Sequence, residues 1–415
     1  MKFDQRPAAN NPLSQSTRLD YLDSVRAFAL LLGIVFHAAL SFVPTFIGWA
    51  VMDVSTSSIV TSFILVSHSF RMELFFLIAG FFSHMTFHKK GARTFLRSRF
   101  TRIAIPFLVG WFILRPLIVS GWIMGYQSMS GEAKILEGLI GGCLSLGELP
   151  KDLLVGTHLW FLYCLLIVTS AALLIRQVLT INPKLHTASA RIGDATAKWL
   201  STSRFAIIAL SLPTTAGLLF MSDWGMDTPD KSLIPHLPTF ILYGGFFTFG
   251  WLLHRQQNLI SQFARLSIAR FALCIVSILA CLILSEFQQD LGHPEYQTIR
   301  TAFSFSYALM MWALVALTIG LFKRFLDHPS KYVRYIADSS YWLYLVHLPI
   351  VVWLQIAVAE IELHWAIKLP SISLLTVLIS LLIYDLCIRP TFIGALLNGR
   401  RKPSQLLPKH TLNTH

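Results

Sequence analysis

The sequence predicts an all-α integral membrane protein with about ten transmembrane helices and both termini in the cytoplasm. Three observations carry that expectation. Of 415 residues, 54% are hydrophobic and only 13% charged, where an ordinary soluble domain has roughly a quarter charged. The mean hydropathy is +0.61, so much of the molecular surface must face an apolar solvent. Apolar runs near 20 residues long, each enough to cross a hydrocarbon core about 30 Å thick, follow one another along almost the whole chain. These features exclude a typical cytosolic enzyme. High hydrophobicity without a short repeat or sustained heptad also excludes disordered, collagen-like and coiled-coil classes.

In order, the predicted spans are 25–46, 63–86, 103–124, 158–179, 205–221, 239–254, 269–286, 301–322, 340–359 and 366–388. The fifth and sixth are the shortest, with Pro213 and the Gly244-Gly245 pair as helix breakers. Charge placement is an independent test of the count. Lys89, Lys90, Arg93, Arg97, Arg99 and Arg102 separate spans two and three, and Arg176, Lys184, Arg191, Lys198 and Arg204 separate four and five. The alternate loops carry Glu132, Glu137, Glu148 and Asp152, then Asp223, Asp227 and Asp230, then Glu286, Asp290 and Glu295. By the positive-inside rule the basic side, which also holds both ends, is cytoplasmic.

The chain accordingly divides into a cytoplasmic N-terminal segment (1–22), a transmembrane domain (23–390) and a cytoplasmic basic tail (391–415) that can rest on an anionic leaflet. The first span reads as an uncleaved signal-anchor. No loop exceeds about 35 residues, so chemistry must be built from the spans and their mouths. The net charge of +13 is explained by topology, and no nucleic-acid partner is expected. Five cysteines without a CxxC pair read as packing residues.

Ionisable groups inside spans are costly unless paired or hydrated, so each is a functional candidate. Arg26 stands at the cytoplasmic mouth of the first span. His37, eleven residues on, lies about 16 Å deeper and, after nearly three turns, on the same helix face. One can hold an anionic ligand while the other acts on its far end, or His37 is a core histidine bonded to a neighbouring helix. The second span buries His68, Arg71 and Glu73 in HSFRMELFFLIAGFF. Arg71 and Glu73, two apart, do not face each other; each needs a partner elsewhere, either His37, a substrate or another helix. His158, His347 and Asp385 read as mouth-lining groups or interhelical hydrogen bonders. Arg97, Arg99 and Arg102 form a cluster that can clamp phosphates or serve topology alone. No Walker A, GxSxG, HExxH or credible GxGxxG is present.

The stretch RAFALLLGIVFH, with ten residues between Arg26 and His37, resembles the R-x10-H signature of the membrane-bound acyltransferase family 3. ELFFLIAGFF resembles that family's FFxxSG segment, with Ala79 in place of Ser, and Arg99 and Arg102 match its R-x-x-R. HLWFL, with His158 and Trp160, matches its WFL, and SYWLYLVHLP, with His347, its SYxxYLxHxP. The order agrees too, so the resemblance covers residues 18 to 400. HSFRM, HLWFL, YDLCIRP and LLNGRRK are similar to the branch that succinylates osmoregulated periplasmic glucans, from which Glu73 departs.

The resemblance implies a transmembrane O-acyltransferase of the bacterial inner membrane. Acyl-CoA, as succinyl-CoA or acetyl-CoA, would be the cytoplasmic co-substrate, and a hydroxyl of a periplasmic glucan or other envelope glycan the acceptor. No metal and no resident cofactor are expected. Catalysis would fall to His37 as general base, with Glu73 or Asp23 orienting or charge-balancing it. Substrates would be held by Arg26, Arg71, Arg99, Arg102, His68, His158, Trp160 and His347. The alternatives are an O-acetyltransferase of another envelope polysaccharide and a secondary transporter of a glycan or organic anion.

Overall fold

Residues 19–149, 155–256 and 258–406 are described by a computed structural model, and among them every regular element is helical. The first third contains α1 (Asp20–Ala39), α2 (Ser58–Lys90), α3 (Ala92–Arg99), α4 (Ile105–Met129) and α5 (Ile135–Leu144). Then come α6 (Trp160–Ile181), α7 (Pro183–Thr202), α8 (Ala206–Leu218), α9 (Leu237–Arg255) and α10 (Leu259–Phe263). The last third holds α11 (Ile268–Ser285), α12 (Tyr296–Leu326), α13 (Lys331–Val358), α14 (Trp365–Ile383) and α15 (Phe392–Asn398).

Among the described residues eight helices are long and apolar enough to cross a membrane: α1, α2, α4, α6, α11, α12, α13 and α14, several of them extended by short 3-10 or π turns. The fifth and sixth predicted spans are helices as well, but of a different kind. α8 has only 13 residues, about 20 Å of rise. α9 has 19 residues, among them Pro238, Gly244 and Gly245, and ends in His254 and Arg255. The first span starts earlier than expected, at Asp20, so the boundary drawn at residue 22 lies inside α1; it stops at Phe42, ahead of Pro44, which cannot continue a helix. α13 starts at Lys331 rather than 340, because Ser330 caps it through a 3.4 Å bond from the Val333 N–H. Residues 1–18, Asp152 and 407–415 with Lys409 lie outside the described residues.

Small residues set the closest helix contacts. α2 and α9 pack against each other through reciprocal glycines: a Cβ on Gly80 would strike the Phe247 carbonyl, and one on Gly250 the Leu77 carbonyl. In hydrocarbon, where burial gives no solvent gain, such backbone approach is what holds helices together. α12 is the most buried of the spanning helices and contacts α1, α2, α8 and α11. The end of α14 is fixed by Asp385, which pairs with Arg389 and accepts hydrogen bonds from Tyr335, Ser404 and the backbone N–H of Gln405 and Leu406.

The irregular segment between α1 and α2 is locked by an ion pair that sequence reading did not find. Asp53 takes two hydrogen bonds from Lys368 Nζ, at 2.8 and 3.0 Å, with both side chains 1% exposed. Burial pushes the Asp53 carboxyl above the ordinary carboxylate range, and Lys368 pulls against it. Lys368→Met alone is expected to destabilise the protein by about 3–5 kcal/mol, because it strands a buried carboxylate, whereas Asp53→Leu with Lys368→Met should recover much of the loss. Thermal unfolding of the three proteins in detergent checks this, and equal losses in the single and double variants would contradict it.

Candidate active site

Helical periodicity brings Arg26, Gly33, Phe36 and His37 of α1 onto one face, and all four line a cavity of 460 Å³. Its mouth is basic, with Arg26, Lys90, Arg99 and Arg102 contributed by α1, α2, the end of α3 and the turn leading into α4. Arg26 is bonded to Asp23 at 3.4 Å. Arg99 donates to Ser83 Oγ at 2.8 Å and lies over the Phe95 ring, its Cζ 4.7 Å from the centroid. The Arg102 carbonyl accepts from the Tyr341 hydroxyl at 2.6 Å, which ties the mouth to α13. Gly399, with φ +83°, leaves room for the Arg102 guanidinium, which a Cβ there would strike.

At the inner end four histidines converge. The His68 Nε2–H donates to the Met226 carbonyl at 2.9 Å, and the His158 Nε2–H to the Leu345 carbonyl at 2.9 Å. His347 donates from Nδ1 to the Tyr344 carbonyl at 2.8 Å. A carbonyl can only accept, so these bonds assign the tautomers and leave an acceptor nitrogen on each ring. The His37 ring makes no hydrogen bond to a described residue, and its Nδ1 is buried. It is held by ring contacts instead: Trp49 stacks on it at 5.7 Å and 18°, with His347 at 5.2 Å and Phe36 at 5.3 Å. Among the described residues no group of His, Cys, Asp and Glu is arranged to hold a metal ion.

Arg71 lies one turn short of His37 in depth, beside Gly33, with its Cζ 4.1 Å from the Phe36 centroid. A Cβ at Gly33 would lie 3.8–3.9 Å from the Arg71 side chain, so the two are in contact across the helices. Arg71 is 5% exposed, lines the cavity and makes no hydrogen bond or ion pair with a described residue. The Glu73 carboxylate acts on Arg71 through space without a hydrogen bond, so this buried guanidinium faces the cavity with bonding capacity left for an anion.

Glu73 is placed apart from these groups. It is 1% exposed, lines neither this cavity nor the next, and neither carboxylate oxygen has a hydrogen-bond partner among the described residues. Two residues along a helix turn the side chain away from Arg71's face, so Glu73 does not touch His37 and cannot orient it directly. Asp23 is paired with Arg26 at the mouth.

A second cavity, of 1000 Å³, opens at the other end of the bundle, where α1 runs out at Leu40. Trp49, Arg115, Trp122, Tyr126, Asp230 and Lys231 lie on its wall. The two cavities share Phe36, His37, His158, Trp160 and Thr228. His37 therefore lies where the two cavities meet.

A basic mouth and a histidine whose ring makes no hydrogen bond to a described residue thus line one cavity, and a second cavity meets it there. Residues 19–385 match the family described as an acyltransferase domain. The chain belongs to acyltransferase family 3. This acyltransferase is 26% identical over 393 residues to glucans biosynthesis protein C of Escherichia coli O81 (strain ED1a), covering 92% of the chain and 94% of the relative. The same figures hold for glucans biosynthesis protein C of Escherichia coli K12 and of Escherichia coli O157:H7. No solved structure matches it.

All four histidines expected at the site, with Arg26, Arg71, Arg99, Arg102 and Trp160, line the first cavity of this acyltransferase. Sequence reading missed Trp49, Arg115 and Gln355, the last of which bonds the Trp49 indole and the His37 carbonyl. Trp49 lies in an irregular segment with no periodic pattern around it, and Gln355 looks like one polar residue on an apolar helix. Arg115 carried a usable signal as an arginine inside a predicted span.

Proposed function

We propose that this multi-pass membrane acyltransferase takes an acyl group from acyl-CoA on the cytoplasmic side and passes it to a glycan hydroxyl entering from the periplasm. The observation that carries the proposal is the meeting of the two cavities at His37. The phosphates of coenzyme A are held at Arg26, Arg99 and Arg102 through charge-assisted bonds, and the pantetheine arm carries the thioester inward. His37 takes the proton of the attacking hydroxyl. The new C–O bond forms as the C–S bond breaks, and the proton passes to the departing thiolate of coenzyme A. The acyl group is succinyl: its far carboxylate is the anion that the Arg71 guanidinium, not hydrogen-bonded by a described residue, is set to receive. The acceptor is a glucan, in line with the names of the Escherichia coli relatives.

The setting is the bacterial inner membrane, with ten spans and both termini cytoplasmic. α8 and α9 would complete the ten by crossing where neighbouring helices shorten the apolar path. Cys143, exposed on α5, should label with a membrane-impermeant maleimide added outside spheroplasts, and a cysteine at Arg93 should not. Labelling at position 93 would reverse the orientation.

The function itself is tested with the purified protein in proteoliposomes, supplied with radiolabelled succinyl-CoA and a periplasmic glucan fraction. Labelled glucan is the expected product; glucan uptake without labelling would instead identify a transporter. Arg99→Ala and Arg102→Ala should each raise the KM for succinyl-CoA about tenfold or more through loss of a charged contact, with the acceptor KM unchanged. Unaltered donor KM in both would return these arginines to topology.

A further inference from the structure

We infer that the second cavity is a saccharide cleft floored by Trp49 and Trp122, and that Gln355 is the positioning residue tying this floor to His37. The two indoles meet edge to face, with centroids 5.3 Å apart and planes at 70°, and both rings are half-buried on the cavity wall. A pyranose has one apolar face of C–H groups and a rim of hydroxyls. Indole faces take the first, while Asp230 and Lys231 on the same wall offer an acceptor and a donor for the second. An apolar cleft with a few convergent polar groups fixes such a ligand's orientation.

The link to the chemistry is specific. Trp49 donates from its indole N–H to Gln355 Oε1 at 2.9 Å, and Gln355 Nε2 donates to the carbonyls of His37 and Ala38, each at 3.0 Å. Gln355 is 1% exposed, so all three bonds are shielded from water. The same Trp49 ring lies nearly parallel to His37. A tryptophan on an irregular segment, anchored by a buried amide and turned toward an open cavity, sets the distance between a stacked ring and the imidazole. The inference rests on His37 as the base for an acceptor hydroxyl.

The test uses the full-length protein in nanodiscs and a β-linked glucose hexamer as probe, with binding measured by titration calorimetry in the absence of acyl-CoA. Trp122→Ala should weaken hexamer binding about tenfold, the weight of one aromatic contact, and raise the acceptor KM alike while the succinyl-CoA KM stays put. Trp122→Phe should stay within about threefold of the parent, which separates stacking from collapse of the wall. Gln355→Met should lower kcat about tenfold with a smaller change in acceptor KM, since it loosens Trp49 and His37 without removing the floor. Unchanged hexamer affinity in Trp122→Ala, or a raised donor KM in its place, would overturn the cleft, as would failure of the parent protein to bind the hexamer. Parent protein that binds the hexamer yet transfers no acyl group would keep the cleft and defeat the catalytic reading instead. A Gln355→Met enzyme with parental kcat would return Gln355 to packing.

Discussion

His37→Ala is expected to leave a folded, membrane-inserted protein that still binds acyl-CoA but transfers its acyl group about 10²-fold more slowly, or worse. The expectation rests on the surroundings of the ring. His68, His158 and His347 each spend one nitrogen on a backbone carbonyl, whereas His37 is positioned by ring contacts with Trp49, Phe36 and His347. Its ring makes no hydrogen bond to a described residue, and His37 lines both cavities. His37→Gln is the stricter variant, because it keeps size and hydrogen bonding but cannot take up the proton. Transfer assays with donor binding measured in parallel decide it: near-parental turnover in the Gln enzyme would make His37 a packing residue.

Arg71→Gln is expected to lower kcat/KM for succinyl-CoA by about 30-fold to 1000-fold, the weight of about 2–4 kcal/mol for one side of a buried charge pair. Acetyl-CoA, which has no second carboxylate, should be used by the variant about as well as by the parent. The geometry sets this contrast. The Arg71 guanidinium lies over Phe36, one residue from His37, and the two carbonyl carbons of a succinyl chain are roughly 4 Å apart by ordinary C–C lengths. Arg71 and His37 line the same cavity, so a carboxylate held at Arg71 would keep the rest of the acyl chain in the cavity that His37 lines. Equal losses for both donors would move Arg71 to the reacting carbonyl itself and withdraw the support for a dicarboxylic acyl group.

The eleven-residue spacing puts Arg26 and His37 on one face of α1, because 3.6 residues per turn is a local property of the backbone, and that face lines the cavity. The same rule separated Arg71 from Glu73. It did not say which of the two would meet the substrate: Arg71 lines the cavity and Glu73 does not. That outcome depends on which neighbour covers each face of α2, and the Gly80 and Gly250 contact with α9 fixes the choice.

The sequence by itself determined the solvent, the helical class and the face of α1 that carries the site, since composition and periodicity act at the scale of single helices, and its ordered motifs carried the resemblance to the family. It also placed the basic loops. The tertiary structure alone decided that two cavities meet at His37, that α8 is too short to span unaided, and that Trp49, Gln355 and the Asp53–Lys368 pair hold the irregular segment in place. Trp49 and Gln355 are 306 residues apart and Asp53 and Lys368 are 315 apart. Contacts at that separation leave no periodic trace in either partner's neighbourhood, because each arises only when the helices between them have packed.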